Sequence, residues 1–260
     1  MNDAITTRAG MTRATMTIRA AWLGRVPYLD GWRLQEAVAS RVRAGDDARL
    51  LLLEHDPVYT VGRRGTVDHL LVDLAELRRV GASLYRVDRG GDITYHGPGQ
   101  LVGYPVVPLG DRPDLVRYVR GLEDSLIDVL GSYEITARAE KGKTGVWVDL
   151  HDGRPAKIAA IGVRVSRGVS THGFALNVVT DLEAFARMVP CGFMHEVASL
   201  ERLGVRATLR DVATRVADAL ARRLGTGLEW ADVPSARDDE IPADAPVRSA
   251  EDLASQVVAA

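Results

Sequence analysis

The sequence predicts a single α+β domain in which helices flank a central group of strands. The chain has 260 residues, of which 46% are hydrophobic, so it can bury a large core. Three strand-like segments follow one another in mid-chain, and no internal repeat or low-complexity linker divides the sequence. We place the domain at residues 17–230. A polar extension at 1–16 is expected to be flexible, and a tail at 231–260, rich in Asp, Pro, Ala and Ser, is expected to be loosely ordered.

Strands and helices alternate in the first half of the chain, and each has its own signal. Apolar residues recur at helical spacing in one segment, and a continuous apolar run in the next is typical of a strand buried on both faces. Asp73, followed three residues later by Glu76, forms a capping box that begins a short helix. The predicted elements are a strand at 17–24, a helix at 28–43, a strand at 49–56, a short helix ending at Gly81, and strands at 83–90 and 101–107.

Turn and capping residues divide the second half. Asp111 and Pro113 are predicted to open an amphipathic helix that Gly131 closes in the position after its last turn. His-Asp-Gly and Ser-Arg-Gly sequences separate three strand-like segments, which predicts an antiparallel meander. The predicted elements are strands at 143–150, 155–165 and 170–179, a short helix near 182–189, and a last helix from Thr208 to Gly225.

Composition and charge argue against several classes of protein. The 33 basic and 35 acidic residues leave a net charge of −2, so a dedicated nucleic-acid-binding protein is not expected. The sequence has no run of about 18 apolar residues, and its first residues lack the apolar core of a secretory signal, so we expect no membrane association. The single cysteine, Cys191, excludes an internal disulfide and a zinc site built on several thiolates.

Three partial matches to cofactor-binding motifs fail at a required position. Ala137 stands where a phosphate-binding loop ending at residues 142–144 needs a glycine. Ser199 replaces the second histidine of a zinc-protease motif, and Val102 replaces the third glycine of a dinucleotide fingerprint. We therefore expect neither a cofactor nor a metal.

Lysine is rare in this chain, because only Lys141, Lys143 and Lys157 occur among the 33 basic residues. Strict alternation along its strand places Lys157 on an apolar face with Ala159 and Ile161. Desolvation there would lower the pKa of the lysine towards values useful for proton transfer. A lysine at the strand end whose ammonium group reaches water is an equally good interpretation.

The lone thiol of Cys191 lies in the segment VPCGFMHEVASL, residues 189–200. A single cysteine is most often a small buried apolar residue. As a nucleophile it needs the thiolate form. A neighbouring lysine would take the thiol proton and, as an ammonium ion, stabilise the thiolate, so a cysteine–lysine pair is the functional alternative.

A glycine-rich loop at residues 89–100 is a candidate ligand-binding segment, because glycines let the backbone approach a ligand and present its N–H groups. Its side chains with a charge or hydrogen-bonding groups are Arg89, Thr94, Tyr95 and His96. The alternative is a hairpin with a Gly-Pro-Gly turn. His55 follows a buried strand, and it is either a core histidine with satisfied hydrogen bonds or a functional one.

Taken together, these segments resemble the octanoyltransferase family, the lipoyl(octanoyl) transferases of lipoate assembly. Four motifs occur in the family's order, and their agreement makes the resemblance specific. They are RGGDITYHGPGQ at 89–100, AKIAAIGV at 156–163, THGFALNV at 171–178 and PCGFMHEVASL at 190–200, with EHDPVYTVGRR at 54–64 upstream. The resemblance covers residues 22–224, and Phe174 stands where many relatives have leucine.

The resemblance implies a biotin/lipoate protein ligase-like domain, an α/β sandwich of a mixed sheet with flanking helices. It also implies a cytoplasmic acyltransferase that moves an octanoyl or lipoyl group from acyl carrier protein to a lysine of apo lipoyl domains. Those acceptors are the lipoyl domains of 2-oxoacid dehydrogenases and the glycine cleavage H protein, and the transfer is the first step of endogenous protein lipoylation.

The resemblance further implies roles for individual residues. Cys191 would carry the acyl group as a thioester, and Lys157 would lower the pKa of the thiol and shuttle protons. His55 would support the site. The substrate-binding positions that it implies are Arg89, Gly90, Gly91, Asp92, Ile93, Thr94, Tyr95, His96, Ala160, Ile161, Gly162, Gly173, Phe174 and Ala175.

Two other functions stay open at this point. An ATP-dependent lipoate or biotin protein ligase of the same fold would retain the lysine but would not need Cys191. A non-catalytic module that binds acyl carrier protein would keep its function without the thiol. Substitution of Cys191 by alanine should abolish function only in the transferase, and a requirement for ATP would mark the ligase.

Overall fold

The computed structural model describes residues 16–189, 196–234 and 248–249, with side chains for all but the last two. The helices are α1 (Tyr28–Ala44), α2 (Leu74–Arg79), α3 (Leu115–Gly131) and α4 (Leu209–Leu224), with 3₁₀ helices at Val67–His69 and Leu182–Arg187. The strands are β1 (Thr17–Val26), β2 (Ala48–His55), β3 (Val58–Val61), β4 (Ser83–Arg86), β5 (Ile93–His96), β6 (Gln100–Val106), β7 (Ala137–Glu140), β8 (Lys143–Asp149), β9 (Pro155–Ser166), β10 (Val169–Asn177), β11 (Glu196–Val197), β12 (Gly227–Trp230) and β13 (Arg248–Ser249).

The strands form two sheets. The larger sheet has the order β12-β1-β2-β6-β10-β9-β8-β7, and β11 adds to β9. Its β8–β9–β10 portion is the predicted antiparallel meander. The smaller sheet has the order β13-β4-β3-β5. Strand β5 lies within the segment predicted as a glycine-rich loop, and no element was predicted at β3.

The larger sheet is packed between helices on both faces, which explains the continuous apolar run of β2. Leu50 and Leu52 join a core with α3 and α4, whereas Leu51 and Leu53 join a second core with α1. Adjacent side chains of a strand point to opposite faces, so a strand covered on both sides is apolar throughout. The expected α/β sandwich with a mixed sheet is confirmed.

Capping residues define the helix ends largely as predicted. The carboxylate of Asp73 accepts the N–H of Glu76 at 2.8 Å, and Thr208 accepts the N–H of Asp211 at 3.1 Å. The predicted ends of α3 were wrong by a few residues. Asp114 caps its start, and Gly131 is still helical, because the left-handed residue that turns the chain is Glu134, with φ 62°.

The predicted extension and tail lie almost wholly outside the described residues, so their order stays a prediction. In the described part of the tail, Arg248 and Ser249 pair with Arg86 and Tyr85 of β4. In the part of the chain that the structure describes, no helix is both long enough and apolar enough to cross a membrane.

Candidate active site

A cleft of about 650 Å³ lies between β5 of the smaller sheet and β9 and β10 of the larger one. Its size is typical of a small-ligand site. The glycine-rich loop, the cleft faces of β9 and β10, and the hairpin between β7 and β8 form its walls. The predicted residues that line it are Arg89, Gly90, Gly91, Asp92, Ile93, Thr94, His96, Lys157, Ala160, Ile161, Gly162, Gly173, Phe174 and Ala175.

Close backbone approach shapes the cleft. The N–H of Gly90 donates to the carbonyl of Val163 at 3.0 Å, which ties the loop to β9. A Cβ atom on Gly162 would lie 2.9 Å from the carbonyl oxygen of Gly90. On the neighbouring strand a Cβ atom on Gly173 would overlap the carbonyl of Gly103. These glycines are therefore required because main chain stands where a side chain would be.

Arg89 and Asp92 brace the loop. The guanidinium group of Arg89 is buried and donates to the carbonyl of Thr60 at 2.6 Å, its hydroxyl at 2.8 Å, and the carbonyl of Gly90 at 3.0 Å. The buried carboxylate of Asp92 lies 2.5 Å from Nδ1 of His69. Both side chains thus connect the loop to β3 and to the chain that follows it.

Among the predicted residues that the structure describes, Tyr95 and His55 do not line the cleft. The ring of Tyr95 packs in the core of the smaller sheet, 5.2 Å from that of Tyr59 and 5.6 Å from that of Phe185. Burial raises the pKa of Tyr95 to about 12. His55 lies behind the cleft wall, where it contacts the cleft-lining residue Tyr104.

Two neutral imidazoles lie in the cleft wall (His96) and behind it (His55). Nδ1 of His55 donates to the carbonyl of Val26 at 2.7 Å, so its Nε2 accepts the hydroxyl of Tyr104 at 2.6 Å. His96 bonds through Nδ1 to Oε1 of Gln100 at 2.8 Å. Burial lowers the pKa of His55 to about 4 and that of His96 to about 3, so both are uncharged at neutral pH.

A charged cluster lies beside this network. Nε2 of His172 bonds to Asp88 at 2.7 Å, and Arg164 pairs with the same carboxylate. Burial opposes ionisation of Asp88, but the hydrogen bond and charge of His172 and the charge of Arg164 outweigh it and lower the pKa of Asp88. His172 adopts φ 55°, and its N–H donates to Gln35 at 2.7 Å, so α1 holds this strained residue in place.

Lys157 lies on the β9 wall of the cleft, and the prediction that it shares an apolar face with Ala159 and Ile161 was wrong. Val146 pairs with Ala159, but Trp147 pairs with Lys157, so Ile158 is an extra residue in β9. This bulge puts both Ile158 and Ala159 into the core. Lys157 therefore projects into the cleft beside Trp147, with its ammonium group 4.8 Å from the indole centre.

The segment that contains Cys191 falls in residues 190–195, outside the described part of the chain. The chain on both sides of it is fixed at the cleft, because Met188 and Val197 line the cleft wall. Val197 pairs with Lys157, and the N–H of Ala198 donates to the Lys157 carbonyl at 3.0 Å.

Comparison with known proteins decides the family. The Lipoyl protein ligase A/B catalytic domain family matches residues 27–221. An octanoyltransferase of Gloeobacter violaceus is 49% identical over 209 residues, which are 79% of this chain and 90% of the relative. One of Solibacter usitatus is 48% identical over 202 residues, covering 77% and 90%. One of Mycolicibacterium smegmatis is 45% identical over 221 residues, covering 82% and 94%.

The chain belongs to the octanoyltransferases of this family. Solved structures agree on the fold alone, since their sequence identities are low. A bi-partite lipoate protein ligase of Thermoplasma acidophilum has a TM-score of 0.70 at 19% identity, covering 86% of this chain and 90% of that one. A lipoate-protein ligase A bound with ATP has a TM-score of 0.72 at 20% identity, covering 86% and 92%.

The cleft of this octanoyltransferase also has lining residues that were not predicted, among them Gln100, Tyr104, Trp147 and Asn177. Gln100 donates to Asn177 at 2.9 Å, and Asn177 donates to the carbonyl of Ala198 at 2.9 Å, which links the loop to the segment after the cysteine. Tyr104 and Trp147 depend on register across strands. Gln100 and Asn177 lie inside the quoted motifs, so their polarity within apolar strands was the available signal.

The described residues offer no group of three His, Cys, Asp or Glu side chains that could hold a metal ion.

Phe174 fits the cleft because its partner across β6 and β10 is Gly103, where any Cβ atom would overlap the ring. The phenyl ring thus takes the space that a side chain at position 103 would need.

Proposed function

We propose that this octanoyltransferase works through an acyl thioester on Cys191, with Lys157 as its proton carrier. In the first half-reaction the amine of Lys157 takes the Sγ proton, and the thiolate attacks the thioester carbonyl of the donor. The donor thiolate leaves and receives the proton back from the Lys157 ammonium group. The acyl group is then bound to Cys191, and atoms and charge balance.

The second half-reaction runs the same chemistry towards an amine. The ε-amine of an acceptor lysine attacks the acyl carbon of the Cys191 thioester, and the cysteine thiolate leaves. Lys157 accepts the surplus proton of the amine and passes it to Sγ. Exchange of a thioester for an amide is favourable, so the transfer needs no nucleotide.

One observation supports this proposal above the others, namely the position of Lys157. It lies on the cleft wall and pairs with Val197, six residues after Cys191. A chain of six residues reaches at most about 20 Å. Met188, three residues before the cysteine, also lines the cleft. The chain on each side of Cys191 therefore leads to the same cleft as the lysine.

The walls of the cleft suit an acyl chain. Ala160, Gly162, Gly173 and Ala175 present little more than backbone, which leaves a narrow apolar slot along β9 and β10. The imidazoles of His55 and His96 near this slot are neutral. An unpaired charge buried beside the slot would be costly, and their neutral state avoids it. Octanoyl and lipoyl groups are both long apolar chains with a single reactive carbonyl.

The family resemblance and the shape of the cleft support a proposal for the partners. A reactive carbonyl must reach Lys157 inside a cleft, so a donor that carries it on a slender flexible arm fits, and we propose octanoyl-acyl carrier protein. The acceptors that we propose are apo lipoyl domains of 2-oxoacid dehydrogenases and of the glycine cleavage H protein, each offering an exposed lysine. A cytoplasmic location stays a prediction of the family resemblance.

The test is intact-mass measurement after incubation with octanoyl-acyl carrier protein, without ATP. We expect one octanoyl adduct on the wild-type chain, released by hydroxylamine as thioesters are, and none on Cys191→Ala. Octanoyl transfer to an apo lipoyl domain should fall by at least about a thousandfold in that variant. An unchanged adduct in Cys191→Ala would refute the thioester, and a requirement for ATP would favour a ligase.

A further inference from the structure

Lys157 is held from several sides, and one of them is the indole ring of Trp147. The two residues are directly paired across β8 and β9. Side chains paired in this way lie on one face of a sheet within contact distance. The Lys157 ammonium nitrogen lies 4.8 Å from the centre of the indole ring, within the range of a cation–π interaction.

The indole ring is itself fixed. Its N–H donates to the carbonyl of Lys143 at 3.1 Å, and the side chain of Trp147 is buried, with 2% of its surface exposed. A ring anchored at its edge and packed against neighbours cannot rotate freely, so the position of its face is set by the β7–β8 hairpin.

The hairpin also confines the stem of the lysine. A Cβ atom on Gly145 would lie 3.4 Å from Cε of Lys157 and 2.6 Å from the carbonyl oxygen of Ala159, so the backbone of Gly145 rests against both. The N–H of Gly145 donates to the fully buried carboxylate of Glu123 at 2.9 Å. Helix α3 thus fixes the strand that carries the ring.

We infer that Trp147 is a positioning residue for octanoyl transfer, whose indole face holds the Lys157 ammonium group at the cleft wall and favours its charged form. This inference rests on the proposed role of Lys157. A cysteine–lysine pair is active as thiolate and ammonium, so the activity falls at high pH as the ammonium group loses its proton. The attraction of the ring for a cation moves that loss to higher pH.

Several charged groups on the elements packed around Lys157 are held in ion pairs. Lys143, whose ammonium group lies 5.2 Å from the centre of the same ring, pairs with Glu140 at 3.2 Å. Further ion pairs on these elements join Arg120 to Glu123, Arg138 to Glu140 and Asp149, Glu196 to Arg154 and Arg202, Arg164 to Asp88, and Arg223 to Asp124. Substitution of Trp147 leaves each of these charged side chains in place.

The experiment measures the rate of Cys191 acylation by octanoyl-pantetheine from pH 6 to pH 10. A small donor removes carrier docking from the comparison. In Trp147→Leu we expect the rate to fall about tenfold or more, and the high-pH limb to move about one pH unit lower. Trp147→Phe keeps a ring with weaker attraction for cations, so both effects should be smaller.

Trp22→Leu is the matched control. The guanidinium carbon of Arg210 lies 5.9 Å from the centre of the Trp22 ring, and Arg210 does not line the cleft. It should keep the wild-type rate within about twofold and the same pH limb. Melting temperatures identify any variant that fails to fold, in which case Trp147→Phe decides. An unmoved limb in a folded Trp147 variant, or a limb moved to higher pH, overturns the inference. Absence of acylation in the wild type would instead refute the proposed function.

Discussion

Two walls of the cleft differ in their electrostatics. Within and behind the β5–β6 wall, His96 and His55 are buried in a network of hydrogen bonds and remain neutral. On the β9 wall Lys157 is half-buried and lies against an aromatic face. Burial keeps the imidazoles uncharged, whereas a ring and a bulged strand hold the amino group of Lys157 at the cleft.

This difference separates structural from chemical residues. The imidazoles have hydrogen-bond partners on the protein and a pKa too low for proton transfer near neutral pH. Lys157 is the group whose surroundings leave it facing the cleft, beside the chain that leads to Cys191. Substitution of Lys157 or its neighbours should therefore change reaction rates, and substitution of the buried imidazoles should change stability.

Among substitutions of cleft-lining residues, the largest effect is expected for Lys157→Arg, which keeps the charge but cannot act as a base near neutral pH. Proton transfer by a positioned side chain contributes about 10²–10⁴-fold to a rate. We expect a loss of this size in octanoyl transfer, measured with an excess of donor and acceptor, and a melting temperature close to that of the wild type. Near-normal rates across the pH range would show that only the charge of Lys157 matters.

The buried imidazole of His55 should affect the free energy of unfolding. Burial lowers the pKa of His55 to about 4 in the folded chain, while the unfolded chain titrates near 6.5. Between these values the unfolded state binds more protons, so the free energy of unfolding falls as the pH drops through this window. The contribution of His55 across it is about 3 kcal/mol.

His55→Gln removes this titration, so its unfolding free energy should depend less steeply on pH between 6.5 and 4 in urea titrations. His151→Gln is the matched control, since His151 lies exposed in the turn between β8 and β9. Burial raises the pKa of Glu36, which contributes the opposite slope, but this contribution cancels in the difference between variant and wild type. Equal slopes in His55→Gln and the wild type would contradict a buried neutral imidazole.

Much of the fold could be predicted because its signals are local. The run of leucines in β2, the carboxylate of Asp73 and the hydroxyl of Thr208 each act within a few residues of the chain. β3 and β5 could not, because each has only four residues and gains its stability from pairing with the other. Strands of that length have no clear periodicity of their own.

The candidate site was predictable from motifs but not its geometry. The glycine positions near Gly162 and Gly173 carry the family resemblance, and the cleft indeed brings them together. The face of Lys157 was wrong, because a bulge at Ile158 is set by pairing with β8 and leaves no mark in the alternation of β9. The contact with Trp147 depends on the same register, so only the structure could show it.

The smallest effect is expected at Gly162, where β9 packs against the glycine-rich loop. A Cβ atom in Gly162→Ala would lie 2.9 Å from the Gly90 carbonyl oxygen and 3.1 Å from Cδ of Arg89, so the loop must move by a few tenths of an ångström. Overpacking of this kind costs about 1–3 kcal/mol. We expect a lower melting temperature and a several-fold higher KM for the acyl donor, with a smaller change in kcat because Lys157 stays in place. Gly131→Ala, with nothing within 4 Å of its added Cβ, is the matched control. A folded Gly162→Ala with wild-type KM would show that the loop and β9 do not jointly hold the acyl chain.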